Sequence, residues 1–100
     1  MMRNRSEQIF TGKVVFDPTD RIYTDHFPKN PIVPGTLIVK AFLEAIDQLD
    51  LEYKPRSVEN VRFLRFIPPG EYYFQIKRIK DRLDCQLFDS DVTVASGTVI

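Results

Sequence analysis

The chain has 100 residues, 43% of them hydrophobic and 28% charged, a composition typical of one folded domain and unlike a disordered segment. Its 14 basic and 14 acidic residues cancel, so net charge gives no general attraction to nucleic acid or an anionic membrane. The single cysteine, Cys85, excludes an internal disulfide and a thiolate-rich metal site. With no signal peptide and no membrane-spanning apolar run, the sequence predicts a cytoplasmic location.

The first half of the chain predicts one strand, one long connection and one helix. Residues 9–16 have the composition of a strand, and residues 17–34 form an extended, stiff connection that holds four of the seven prolines. The helix covers residues 36–49, with Thr36 as its predicted cap. Nearly all of its surface is apolar, so we expect the rest of this small chain to wrap it.

The second half of the sequence predicts the strands that would cover the helix. Short turns separate four strands and predict antiparallel neighbours throughout. These strands are expected at residues 57–66, 71–80, 83–89 and 92–100. The expected fold class is therefore α+β, with one long central helix packed on a curved antiparallel sheet. Since a chain of this size buries a large core with difficulty, an oligomer is also expected.

Charge is unevenly distributed along the sequence. Residues 54–82 carry eight basic and three acidic side chains, a local net charge of about +5. Two interpretations remain open: an ordinary solvated sheet face, or a docking patch for an acidic protein or a phosphate-bearing ligand.

The segment with the strongest chemical signal is residues 25–37, DHFPKNPIVPGTL. It presents the only histidine, His26, on a proline-stiffened loop directly before the helix. The start of a helix has free N–H groups and partial positive charge, which can polarise a carbonyl oxygen. Gly35 has no side chain to keep a ligand from its N–H, and a neutral His26 can take a proton from the carbon beside that carbonyl. The residues therefore indicate proton abstraction next to a carbonyl, with a structural histidine as the alternative.

The run of His26, Phe27, Pro28, Pro31, Pro34 and Gly35 before an apolar helix resembles the signature of the hot-dog-fold 3-hydroxyacyl-(acyl carrier protein) dehydratases. Residues 60–71, NVRFLRFIPPGE, also resemble the segment that follows the helix in that family. The resemblance extends from about Phe16 to the C-terminus. It implies a single hot-dog domain over residues 1–100, in which an antiparallel sheet wraps a long helix.

The resemblance also implies a reaction, the elimination of water from a 3-hydroxyacyl thioester in fatty acid or related lipid or polyketide synthesis. His26 would abstract the α-proton, and the N–H of Gly35 would hold the thioester carbonyl. Four further residues are expected to contact the substrate: Phe27, Pro34, Thr36 and Phe63. The acyl chain would be carried on the phosphopantetheine of acyl carrier protein or coenzyme A, and would lie between two subunits of a homodimer or higher homo-oligomer. No metal, dissociable cofactor, nucleic acid or membrane is implied.

The chain departs from the family at one important position. The family's helix carboxylate lies fourteen residues after the histidine, where this chain has Lys40. A lysine ammonium is a poor acid near neutrality unless burial lowers its pKa. Lys40 can form a surface pair with Glu44 one turn later, or Glu44 can replace the missing acid with Lys40 tuning its ionisation.

Three functions therefore remain open. The first is an active dehydratase in which Lys40 or Glu44 donates the proton. The second is one subunit of a heteromeric dehydratase, whose partner supplies the acid. The third is a non-enzymatic module that binds an acyl thioester or a carrier protein. Thioesterases share the fold, but the sequence has no motif for hydrolysis.

Overall fold

The computed structural model of the protein describes residues 7–25 and 31–100. Its elements in chain order are β1 (Glu7–Phe16), α1 (Ile22–Asp25), α2 (Gly35–Gln48), β2 (Val58–Phe63), β3 (Gly70–Ile79), β4 (Arg82–Asp89) and β5 (Val92–Val99). The five strands form one antiparallel sheet, and α2 lies on it. The predicted α+β class is confirmed.

The strand order in the sheet is β1-β3-β4-β5-β2. The hairpins that join β3 to β4 and β4 to β5 are as predicted, but the prediction that β2 and β3 are neighbours is wrong. The connection through Pro68 and Pro69 carries the chain from one edge of the sheet across to β3, and β2 pairs with β5 instead. Two successive prolines lack the N–H groups that a tight hairpin would use, which explains why this short connection is not a hairpin. β2 also ends at Phe63, three residues before its predicted end.

The helix α2 buries one face against the sheet. Ile38, Phe42, Ala45 and Ile46 belong to the same buried cluster as the inward-facing side chains of the strands. Burying one large apolar side chain of this kind contributes about 1.5–3 kcal/mol, so this face accounts for much of the attachment of α2. The expectation that the helix is covered on nearly all sides is only partly met, because Thr36, Lys40, Glu44, Asp47 and Gln48 are exposed.

Two local predictions before α2 are corrected. The connection is not extended throughout, since α1 forms one helical turn, and the Ile22 N–H donates to the Asp20 carboxylate at 3.1 Å. Such a side-chain acceptor stabilises the first turn of a helix. Thr36 is not the cap of α2, because the helix begins at Gly35 and Pro34 occupies the cap position without a side-chain hydrogen bond. Along the described parts of the chain, no helix has the length and apolar character that crossing a membrane requires.

The buried thiol of Cys85 gives a test of the core. Cys85 faces the interior from β4, and burial, with a smaller contribution from Asp84, raises the pKa of its thiol to about 12. Because the thiolate is the reactive form, the native protein should resist a thiol reagent near pH 8, whereas the urea-unfolded chain should react readily. An Ile76→Ala variant, which opens the core beside Cys85, should increase labelling in proportion to its loss of stability. Native labelling as fast as that of a free thiol would contradict the described core.

Candidate functional site

An apolar cavity of about 550 Å³ lies at the start of α2. Its walls come from α1, from the segment before α2, from the first turns of α2 and from the end of β2. The lining residues are Ile22, Ile32, Val33, Pro34, Gly35, Ile38, Phe63, Arg65 and Phe66. Among the described residues, Arg65 is the one charged side chain in this lining. A cavity of this size and apolar character suits an acyl chain.

A backbone hydrogen bond sets the position of this cavity. The N–H of Val33, just before α2, donates to the C=O of Ile67, just after β2, at 2.8 Å. Both residues are buried in the core. This bond joins two distant segments of the chain and brings the start of α2 against the end of β2.

The start of α2 leaves backbone donors available. The N–H groups of Leu37 and Ile38 donate to the C=O of Pro34, at 3.0 and 3.4 Å. The N–H groups of Gly35 and Thr36 precede these first helical bonds and have no acceptor within the helix. The first turn has no acidic side chain to offset the partial positive charge of the helix end. This arrangement fits the predicted role of Gly35 as a donor to a carbonyl oxygen.

Gly35 also makes a contact that the sequence analysis did not anticipate. A Cβ built on Gly35 would lie 2.6 Å from Cζ and 2.8 Å from Cε2 of Phe63. The missing side chain of Gly35 was predicted to leave room for a ligand. In the structure, the ring of Phe63 occupies that space. Only glycine permits this contact, since real Cβ atoms do not approach other atoms so closely.

A second groove, of about 230 Å³, lies on the other side of α2, between the helix and the end of β1. Lys40 and Glu44 line it, and Lys40 Nζ lies 3.7 Å from Glu44 Oε1, with both side chains more than 60% exposed. This is the surface ion pair that was predicted as one of two alternatives for Lys40 and Glu44. Within one chain, the predicted proton donors and the predicted carbonyl-binding residue therefore line separate cavities.

Tyr23 is a further polar residue in the second groove. It is only 6% exposed, and among the described residues its hydroxyl has no hydrogen-bond partner. Burial, with smaller contributions from Asp20 and Asp17, raises its pKa, so the group stays a protonated donor at neutral pH. A tyrosine in a proline-rich connection matches no motif, and the sequence analysis did not single it out.

The other predicted site residues are dispersed. Pro34 and Phe63 line the apolar cavity, whereas Thr36 is exposed on α2 and is not part of the lining. His26 and Phe27 lie outside the described residues, so their roles stay predictions. Residues 7–25 and 31–100 contain no cluster of three or more His, Cys, Asp or Glu side chains that could hold a metal ion.

Part of the predicted basic stretch has structural partners. Arg78 donates to the C=O of Leu51 at 3.1 Å and lies over the Tyr53 ring, and Arg82 pairs with Asp84 at 3.4 Å. Tyr53 in turn donates to the C=O of Asp81 at 2.6 Å. The contacts of Arg78 and Tyr53 hold the segment after α2 against the β3–β4 hairpin, so the net charge of this stretch overstates the charge available to a partner.

Comparisons with known proteins show what this chain is similar to. A family model described as ApeI-like, ApeI dehydratase, matches residues 2–98. The 3-hydroxyacyl-[acyl-carrier-protein] dehydratase FabZ of Shewanella amazonensis is 31% identical over 84 residues, covering 72% of this chain and 55% of that protein. The FabZ of Saccharophagus degradans is 26% identical over 98 residues, covering 81% of this chain and 68% of that protein. The chain thus spans about half the length of several curated relatives that it matches.

Two solved structures share the fold. A protein from Erwinia carotovora subsp. atroseptica superposes with a TM-score of 0.75 at 17% identity, over 98% of this chain and 86% of that chain. The fluoroacetyl-CoA thioesterase FlK superposes with a TM-score of 0.69 at 16% identity, with the same coverage. These similarities confirm the predicted hot-dog fold, which proteins of different activity share.

The ion pair in the second groove can be tested by a double-mutant cycle of Lys40→Ala and Glu44→Ala. Because both side chains are exposed, each substitution should change the free energy of unfolding by at most about 0.5 kcal/mol, with a coupling of about 0.3–0.5 kcal/mol. Urea denaturation at low and high salt would measure this, and the coupling should fall at high salt. A coupling well above about 1 kcal/mol that ignores salt would mean that the pair is buried in the protein as it exists in solution.

Proposed function

The chain belongs to the ApeI-like dehydratase family, and we propose that it eliminates water from a 3-hydroxyacyl thioester, or adds water in the reverse direction. The observation that carries this proposal is the opening of α2 onto an apolar cavity at Gly35. Apolar walls suit an acyl chain, and unpaired N–H groups at a helix start suit an oxygen on which negative charge develops.

The proposed reaction uses few groups. His26, as its place in the motif suggests, removes the proton from the carbon next to the thioester carbonyl. The electrons of that C–H bond form the new C=C bond as the C–O bond to the β-hydroxyl breaks, and the hydroxyl leaves as water once it has gained a proton. The N–H of Gly35 donates to the carbonyl oxygen while it carries extra negative charge. The thioester carrier is proposed to be acyl carrier protein or coenzyme A.

The proton for the departing hydroxyl is proposed to come from a second subunit. Lys40 and Glu44 line the groove on the far side of α2 from Gly35, so one chain does not bring them to its own cavity. Phe63 and Phe66, which line the cavity, are 48% and 82% exposed and place apolar surface at its opening. Exposed apolar surface of this kind is typical of a protein interface, which supports an oligomer in which one protomer's donor meets the other's cavity.

Turnover is tested with the purified protein and a short 2-enoyl thioester, by following the loss of enoyl-thioester absorbance. We expect hydration by the wild type and a loss of about 10²–10⁴-fold in His26→Ala, because a general base contributes about that much. Gln8→Ala, at an exposed position of β1, serves as the matched control and should keep full activity. Full activity in His26→Ala would refute the assignment of the base, and release of free thiol without hydration would indicate a thioesterase instead.

Lys40 favours a second candidate, a subunit of a heteromeric dehydratase whose partner supplies the acid. Its position corresponds to the family's carboxylate, and its ammonium is paired with Glu44. In that case the chain alone should be inactive, whereas Lys40→Glu should gain hydratase activity in the same assay, with Lys40→Gln as the uncharged control. Activity of the wild type alone, unchanged in Lys40→Glu, would contradict this candidate.

A further inference from the structure

We propose that the ring of Phe63 acts as a gate over Gly35 and is displaced when an acyl thioester enters the cavity. This inference rests on the proposed function, because it concerns the same cavity and the same class of ligand. It is argued from the contact between Phe63 and Gly35, from the exposure of Phe63, and from a second glycine–phenylalanine contact in the same protein.

The ring of Phe63 stands where a ligand approaching Gly35 from this side would have to pass. Its Cζ and Cε2 atoms occupy the space that a side chain on Gly35 would fill, and both residues line the apolar cavity. The ring therefore covers the α-carbon of the residue whose N–H is proposed to bind the carbonyl. An acyl thioester that contacts Gly35 on this side must move the ring first.

The side chain of Phe63 can move while its backbone stays in place. Phe63 is the last residue of β2, where it pairs with Ala95, and the next N–H, that of Leu64, donates to the C=O of Val94 at 2.9 Å. The residue is nevertheless 48% exposed. Because about half of its surface is already exposed, turning the ring toward solvent costs less buried apolar area than moving a core ring would, and rotation of exposed side chains is fast.

A second glycine–phenylalanine contact, between Gly12 and Phe74 in the sheet, involves a ring that is held in place by burial. A Cβ built on Gly12 would lie 2.5 Å from Cε2 and Cζ of Phe74, a geometry like that of Gly35 and Phe63. Phe74, however, is only 8% exposed and belongs to the core cluster. Because a buried ring cannot leave its place without opening a cavity, the Gly12–Phe74 contact is structural. The two contacts share their geometry and differ in exposure, so they form a natural pair for an experiment.

The gate is tested by the binding of a saturated acyl pantetheine thioester, which has neither the β-hydroxyl needed for elimination nor the double bond needed for hydration. Its association rate would be measured by stopped-flow fluorescence with an environment-sensitive label on the acyl chain. Phe63→Ala removes the ring, and Gly35→Ala keeps the ring from its closed position. If the open position is populated in about one molecule in ten, each variant should bind about tenfold faster, and the double variant should bind no faster than either.

Two controls accompany this measurement. Phe63→Leu retains an apolar side chain and should show an intermediate rate, which separates loss of the ring from general damage to β2. Gly12→Ala should lower the urea midpoint by displacing a buried ring, while the folded protein binds the ligand at the wild-type rate. Gly35→Ala should lower the midpoint much less, since an exposed ring can move aside.

The outcomes distinguish the gate from the proposed reaction. Unchanged association rates in Phe63→Ala and Gly35→Ala, or additive effects in the double variant, would overturn the gate even if the protein is a dehydratase. Faster, non-additive binding would support the gate even if the hydration assay finds no turnover. Failure of the wild type and all variants to bind the thioester would overturn the gate together with the acyl-binding cavity.

Discussion

The backbone hydrogen bond from Val33 to Ile67 is the constraint on which the candidate site depends. Both groups are buried, and leaving such a donor or acceptor unpaired costs about 1–3 kcal/mol, so the bond resists separation of the two segments. It holds the residues before α2 against the residues after β2. Pro34 and Gly35 follow on one side, and Arg65 and Phe66 precede it on the other, so the cavity at the helix start is formed by the residues around this bond.

The sheet order explains why the molecule has an apolar cavity on one side of α2 and a groove with charged residues on the other. β1 and β2 are the two edge strands, and the buried face of α2 is fixed on the sheet between them. Toward the end of β2, the helix presents Gly35 and Ile38, which are small or apolar. Toward β1 it presents Lys40 and Glu44, which pair with each other. The helix thus separates the apolar cavity at Gly35 from the groove that Lys40 and Glu44 line.

Local sequence patterns predicted the elements well and their arrangement less well. The strand predicted at residues 71–80 is present, and Tyr72, Phe74 and Ile76 alternate along it as its buried side chains, a local pattern that needs no knowledge of partners. The partner of β2 was predicted wrongly, since a short connection normally joins neighbours and only the pairing of β2 with β5 reveals the exception. The cap of α2 was predicted at Thr36 because threonine is a favoured capping residue. The observed cap is Pro34, two residues earlier, and the helix begins at Gly35.

The site shows the same division. The pair of Lys40 and Glu44 was predictable, because residues four apart on a helix are neighbours whatever the fold. The contact of Gly35 with Phe63 was not, since it joins two residues that only the folded sheet brings together. Nor was the state of the Tyr23 hydroxyl, which has no hydrogen-bond partner within residues 7–25 and 31–100, because a side chain's partners depend on everything packed around it.

Because the apolar cavity and the second groove lie on different sides of α2, a substitution can change one of them without changing the other. In the proposed function, binding of an acyl chain uses the apolar walls and the N–H of Gly35, and one chain contains both. The proposed elimination needs, in addition, a proton donor, and the two candidates, Lys40 and Glu44, lie on the other side of α2. In that proposal, a substitution at position 40 can abolish turnover and leave ligand binding intact, since Lys40 does not line the cavity of its own chain. A substitution at Gly35 or Phe63 differs, because both residues line the cavity and a side chain added at the glycine must displace the ring.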